Sequence, residues 1–500
     1  MSNPIKRLAG ETAVYGLGTI IPRLLNYLLV PFYTYLVFNS KEYGQITELY
    51  SYVGFFATFL IFGLETAYFR YANKSENAQR AFDAGFQFLI FVSIAFVVLI
   101  WVFLDPIAAK IGYREHQEYI LLLVFVIALD TVSALPFAWL RFHHKAKIFS
   151  AIKIINVVIN ISSNILLLVV FPKMIGENID FYFPYTLTTK VGLVFVSNLL
   201  ASLATFIMIT PVFKDFDFHA HTKMMKKMLA YGLPVLIISL AGMVNEVADK
   251  IMMRHLLPDP STAESQLGIY GANYKLAVLM MIFIQMFRYA FEPFFFAEEK
   301  KKDSRVTYAR VMVWFVIFTS MIFLLVSLYL DLFKYFVGPA FREGLIIVPI
   351  ILAAKMFLGI FYNLSVWYKL TNKTLYGAAI AILGALITIG LNIYLIPRLG
   401  YVGAAWTNFI AYFTMMTVSY FWGQKVYPVP YNMKRISLYL IFAAILFFIS
   451  KLLQISDQTI RLMLNSVLIL LFVGLVYLKE IRKYKPETSP VEKKEEGGMQ

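Results

Sequence analysis

Apolar residues run through this chain in stretches long enough to cross a bilayer, and short polar segments between them carry most of the charge. A spanning helix needs about 20 mostly apolar residues, and about fourteen stretches meet that requirement. In the first half they lie near residues 11–38, 43–70, 82–104, 118–140, 147–171 and 190–212. In the second half they lie near 226–253, 268–297, 307–333, 344–368, 374–397 and 401–424, and two more follow near 436–454 and 461–480. The first stretch is too long for a signal peptide, holds two prolines and an arginine, and lacks a small-residue cleavage site. The pattern predicts an all-α, polytopic membrane protein of about fourteen transmembrane helices.

The polar positions inside these stretches repeat. Residues 231–297 are the organising segment: Tyr231-Gly232-Leu233-Pro234 opens one span, Asn245-Glu246-Val247-Ala248-Asp249-Lys250 closes it, and Gly268-Ile269-Tyr270 through Tyr274-Lys275 opens the next. Near the start of the chain, Tyr15-Gly16-Leu17 likewise opens a run that contains Pro22 and Arg23. Gly44 stands six residues before Tyr50, as Gly268 stands six before Tyr274. Asn164-Ile165 before Pro172 is echoed by Asn392-Ile393 before Pro397, and Val191-Gly192…Asn198 by Val402-Gly403…Asn408. An even number of spans per half makes this a parallel repeat, with its axis along the membrane normal. The predicted organisation is two pseudo-symmetric six-helix bundles, at 1–220 and 221–430, then two extra helices at 431–484 and a disordered cytoplasmic tail at 485–500. The site is expected between the bundles.

Composition agrees with the pattern. The chain is 60% hydrophobic and 15% charged, with mean hydropathy +0.69, whereas soluble domains are about 25% charged. The net charge of +15 raises the prospect of nucleic acid, but its placement points elsewhere. With the N-terminus inside, most of the 45 Lys and Arg residues fall in inner loops and tails, including 141–147, 223–227, 300–302 and 479–494, as cytoplasmic orientation requires. Both termini are therefore expected in the cytoplasm, with the basic charge facing anionic membrane lipids and no nucleic-acid partner. With no cysteine, the chain has no disulfide or thiolate chemistry. His143-His144 lacks a third ligand nearby, so no metal site is expected. The longest outer loop, 172–189, carries Phe181, Tyr182, Phe183 and Tyr185, which read as an interfacial aromatic belt or as a sugar-stacking surface. A nucleotide-phosphate loop, an Asp-rich motif and a large extracytoplasmic domain are all missing from the sequence, so the reading is a transporter and not an enzyme.

Charges inside spans are costly and mark function by default. Arg23 lies mid-way along the first span and shares a helix face with Gly16, Tyr27 and Thr34. Its fixed fork of donors suits phosphate. Lys355 falls near the middle of the tenth span; Lys250, Lys275 and Arg288 complete the candidate substrate-binding cations. Lys250 has Glu246 one turn back and Arg288 has Glu292 one turn on, so local ion pairs compete with binding. Asp130, Glu246 and Asp249 are candidates for coupling or ion pairing, and Asp130 either binds a coupling ion (proton or sodium) or neutralises Arg23. No other cofactor is expected. Pro22, Pro31, Pro136 and Pro234 lie within spans and free backbone carbonyls for bending.

The Asp249-Lys250-Ile251-Met252 stretch, followed by Gly268-Ile269-Tyr270 and Tyr274-Lys275-Leu276-Ala277, with Arg23 mid-way in the first span, resembles the polysaccharide flippases of the multidrug/oligosaccharidyl-lipid/polysaccharide (MOP) exporter superfamily, in particular the O-antigen, Wzx-type members. The resemblance covers nearly the whole chain. It implies a V-shaped two-lobed bundle in the bacterial inner membrane, serving lipopolysaccharide or other polysaccharide biosynthesis by alternating access. The implied substrate is a polyprenyl-diphosphate-linked oligosaccharide, met by cavity-facing Arg and Lys, and glycan polymerase machinery is an implied partner. The drug-exporting branch often carries a cation-binding acid in its first span, where this chain has Arg23 and only Glu11 at the start. Two alternatives remain: a cation-coupled multidrug-type exporter on the same fold, and a membrane glycan polymerase or ligase.

Overall fold

The computed structural model describes residues 4–72, 78–175, 189–219, 221–298, 303–453 and 455–482. Most of the 172–189 loop, the 300–302 basic run, the 485–500 tail and the Glu292 side chain lie outside the described residues. Every regular element described is helical. Among the described residues, thirteen helices are long and apolar enough to cross a membrane. They are α1 (Val14–Val37), α2 (Ser40–Ala72), α3 (Ala78–Val102), α4 (Arg114–Phe142), α5 (Ala146–Met174), α6 (Lys190–Phe213), α7 (Thr222–Leu256), α8 (Pro260–Tyr289), α9 (Ser304–Leu328), α10 (Pro339–Leu370), α11 (Thr374–Val426), α12 (Met433–Leu452) and α13 (Gln458–Ile481).

The expected count of about fourteen spans is recovered at α11. A straight helix of its 53 residues would be about 80 Å long, against a hydrocarbon core of about 30 Å. The helix turns back at Gly400, where φ is 56° and ψ is −139°, a conformation that only glycine adopts readily. The Gln266 side chain sits where a Cβ on Gly400 would project, and its Oε1 accepts from Tyr401 N at 3.1 Å. A Gly400→Ala variant is expected to lose about 1–3 kcal/mol, read as a lower thermal midpoint in detergent.

Local signals set the helix starts. Asn39 and Glu42 form a capping box that begins α2 two residues after α1 ends. Asp259 accepts from Thr262 N to start α8, with Pro260 in its first turn. Pro22 and Pro234 sit inside continuous helices. The helical pattern of α1 is interrupted at Leu28, three residues before Pro31, and becomes a π turn over Tyr33–Val37 after it. The helix therefore reorganises its hydrogen bonds on both sides of Pro31.

The sequence echo between the halves becomes a physical contact. A Cβ on Gly44 would strike the backbone carbonyl of Glu264 and come within 3.1 Å of Gly268 N. A Cβ on Gly268 would strike the carbonyl of Ser40 and come within 2.9 Å of Gly44 N. The two equivalent glycines thus let α2 and α8 touch backbone to backbone, each four residues from the carbonyl that meets the other. Ser40 Oγ and Ser265 Oγ lie 2.7 Å apart beside them. One turn along, Arg254 of α7 bonds Glu48 of α2 at 3.2 Å and Glu264 of α8 at 2.7 Å, with side-chain exposures of only 8%, 0% and 15%. Tyr113 OH also donates to Glu48 at 2.8 Å. On another face Thr34 of α1 accepts from Gly338 N at 2.9 Å, just before α10. A Gly268→Val variant overpacks this seam against main chain that cannot move aside. It is expected to cost about 1–3 kcal/mol and to increase cysteine accessibility at position 40, measured with a thiol reagent on a Ser40→Cys background.

By contacts the chain forms two units, Met1–Lys302 with Lys334–Pro428, and Asp303–Phe333 with Val429–Gln500. In the second unit Asn465 is buried and ties its helices together, donating to Leu328 O at 2.6 Å and accepting from Ser450 Oγ at 2.7 Å. Glu480 there is held by Arg435 at 3.0 Å and by Tyr439 OH at 2.9 Å.

Candidate functional site

The first unit gathers half of the predicted charges around α7. Glu246, Asp249 and Lys250 fall at i, i+3 and i+4 and so share one helix face. Lys355 of α10 is fully buried and reaches Glu246 Oε2 at 2.7 Å. Tyr274 OH of α8 donates to Glu246 Oε1 at 2.8 Å, and Tyr412 OH of α11 lies 3.3 Å from Oε2. Lys250 Nζ bonds the Glu246 carbonyl at 2.7 Å and Asp249 Oδ1 at 3.1 Å, and stands 4.2 Å from the Tyr274 ring centre. Asp249 Oδ2 accepts from Tyr270 OH and, at 2.8 Å, from Asn408 Nδ2. Two lysines and two carboxylates therefore balance one another inside the second half, each carboxylate also held by tyrosine.

Two predicted cations stand apart from that balance. Arg23 and Lys275 are exposed although both belong to membrane helices. Neither has a carboxylate within ion-pair distance among the described residues. Lys275 Nζ lies 5.6 Å from the ring centre of Tyr27, and Tyr27 feels the charges of both Arg23 and Glu246. Glu246 itself keeps 38% of its side chain open. Tyr27 of α1 thus stands close to Lys275 of α8 and within the electrostatic reach of Arg23 and of Glu246 of α7.

The remaining candidates lie elsewhere. The groups that bear on Asp130 are Ser202 of α6 and the charge of Lys153 of α5, not Arg23. Lys153 also sits 3.9 Å from the Phe137 ring centre. Arg288 stacks on Tyr362, 4.4 Å from its ring centre. Glu65 pairs with Arg141. Sequence reasoning missed the Glu48–Arg254–Glu264 cluster, although Glu48 falls inside the predicted second span and was open to the same argument as the other intramembrane acids. It missed Tyr412 and Asn408 as ligands of the α7 acids as well. The one available signal for Tyr412 and Asn408 was their four-residue spacing, the same as that of Tyr270 and Tyr274.

Among the described residues, exposed cations beside tyrosine rings are suited to holding an anion. Solved structures share the fold. A lipid II flippase, MurJ, in an inward closed conformation superposes with a TM-score of 0.69 at 15% identity, covering 94% of this chain and 100% of that one. A multidrug resistance MATE family transporter of the MOP superfamily superposes in its inward-facing form at 0.60 and 14% identity, covering 87% and 98%. Its outward-facing form gives 0.59 at 15% identity, covering 88% and 97%. No curated protein sequence matches the chain. Residues 8–298 match the family described as polysaccharide biosynthesis protein; that match spans more than half the chain and takes in α1, α7 and α8, so this multi-pass membrane protein belongs to that family.

Proposed function

We propose that the chain flips a polyprenyl-diphosphate-linked oligosaccharide, such as an O-antigen precursor, across the bacterial cytoplasmic membrane by alternating access, with both termini in the cytoplasm. The observation that carries this reading is the pair of exposed cations, Arg23 and Lys275, with no carboxylate within ion-pair distance among the described residues and with Lys275 beside the Tyr27 ring. A diphosphate drawn into a membrane interior needs opposing charge, because leaving it unpaired is prohibitively costly. The family membership and the likeness to a lipid II flippase support the same substrate class. A cation-coupled drug exporter would want an unbalanced acid facing the cavity. Here Glu246, Asp249 and Asp130 each lie beside a lysine. A coupling cation would find its best oxygens at Asp249 and at Asn408 beside it, whose Oδ1 is buried without a partner among the described residues.

The test is reconstitution in vesicles loaded with a lipid-linked glycan, following its appearance in the opposite leaflet at unchanged glycan length. Protein-dependent appearance is expected. Efflux of a lipophilic cation in place of glycan movement would replace this reading with the exporter, and lengthening of the glycan would replace it with the polymerase. A single cysteine at position 180, labelled by an impermeant reagent in intact spheroplasts, checks the orientation.

A further inference from the structure

The seam between α2 and α8 holds two acids and one arginine. Gly44 and Glu48 lie one turn apart on α2, and Glu264 and Gly268 one turn apart on α8, so each acid sits beside a touching glycine. Arg254 of α7 stands between the acids. Its Nη1 donates to Glu264 at 2.7 Å and to Glu48 at 3.2 Å, and its Nη2 donates to the Gly112 carbonyl at 3.1 Å. No second cation reaches either acid within ion-pair distance among the described residues. With both acids ionised, the cluster would hold one negative charge in excess. The other titratable groups facing it are Tyr113 from the α3–α4 connection, Tyr52 one turn along α2, and His255, which lies 3.4 Å from the Tyr52 hydroxyl.

Glu48 is the acid left short. It is fully buried, whereas Glu264 keeps 15% of its side chain open. Arg254 stands nearer to Glu264, which also accepts from Gln45 at 3.4 Å. Glu48 Oε1 is buried with no hydrogen-bond partner. An ionised oxygen there lacks both water and a donor, and a buried charge so placed is costly. The neutral acid removes the excess charge. A proton on Oε2 finds the Tyr113 hydroxyl at 2.8 Å, and the contact then runs from acid to hydroxyl. Oε1 becomes a plain carbonyl, which is less costly to leave unpaired than a carboxylate oxygen. A metal ion fits less well, because no group of three or more acidic, histidine or cysteine side chains occurs among the described residues. Glu48, Gly112 and Tyr113 belong to the first half of the chain, and Arg254 and Glu264 to the second. Parting the halves here admits water to Glu48, and a glutamate in water is ionised at neutral pH.

We propose that Glu48 binds a proton while the α2–α8 seam is closed and releases it to water when the seam opens. The proton is taken up and returned on the same side of the membrane. It therefore governs how readily this end opens and is not itself carried across. The inference rests on the alternating-access part of the function proposed above and on nothing about the cargo. Acid should hold the seam closed and alkali should favour opening, because the closed form binds the additional proton.

The chain has no cysteine, so Lys41→Cys on α2 and Thr262→Cys on α8 place one spin label on each side of the seam. In lipid nanodiscs, dipolar broadening between the labels should be strong at about pH 5 and fall by about pH 9. Glu48→Gln, neutral at every pH, should keep it strong throughout, with a thermal midpoint at neutral pH no lower than the parent's. His255→Gln should leave the pH response in place. The proton itself is read without any opening. The infrared difference between the parent and Glu48→Gln at neutral pH should show the C=O band of a protonated carboxyl. Glu264→Gln should lose the same band, because Arg254 then serves Glu48 alone and Glu48 ionises. Absence of the band from the parent overturns the inference, as does its persistence in Glu264→Gln or a pH response that survives Glu48→Gln. The band in a protein whose seam stays shut at every pH upholds the proton site and counts against alternating access instead.

Discussion

Replacing Arg23 by Gln is expected to reduce glycan flipping at least about a hundredfold, with Arg23→Lys costing about tenfold and Arg23→Glu leaving no detectable transport. The order follows from what each side chain offers a diphosphate. Lys keeps the charge but loses the fork that meets two oxygens at once; Gln keeps a donor but loses the charge; Glu adds repulsion. Arg23 is exposed within the protein and has no carboxylate partner among the described residues, so its removal strands no buried acid. The thermal midpoint should therefore stay close to that of the parent, and membrane abundance should be normal. A well-expressed Arg23→Gln variant with full transport would remove Arg23 from the site.

Lys355 presents the opposite case. It is fully buried and its ammonium meets Glu246 at 2.7 Å. Lys355→Met leaves Glu246 without its main counter-charge, and breaking a buried pair costs about 3–5 kcal/mol. The open edge of Glu246 draws the expected value to the lower end of that range. Transport should fall as well, because the released carboxylate then competes with substrate for the nearby cations. Adding Glu246→Gln should restore much of the stability, since the pair is removed together. Additive losses in the double variant, by thermal denaturation, would show that the two residues do not act as a unit.

The span pattern was legible because each helix had to be apolar for its full length, and the α11 turn was legible as two runs separated by Arg398-Leu399-Gly400. The Gly44 and Gly268 echo was visible as spacing, yet its meaning was not. Only the backbone contact shows that the repeated glycine is the place where the halves meet. The site was half legible. Hydropathy marks any charge in a span, so Arg23, Lys250, Lys275 and Lys355 all stood out. Whether a charge is balanced depends on neighbours far off in sequence: Lys355 finds Glu246 across 109 positions and Asn408 finds Asp249 across 159. Sequence spacing carries no information about such partners, so Lys355 looked as free as Arg23.

The balance itself has an electrical consequence. If the neutralised pairs move as closed sets, the empty protein carries about the charge of Arg23 and Lys275 through the field, and one loaded with a doubly anionic diphosphate carries almost none. A voltage across the membrane does work of about 2.3 kcal/mol on each elementary charge taken across 100 mV. With the cytoplasm negative, that work falls on the unloaded protein and pulls its cations back toward the inner side, while the cargo step is nearly silent. Current recorded from oriented vesicles should then accompany the return stroke, and Lys275→Gln should diminish it even where flipping persists.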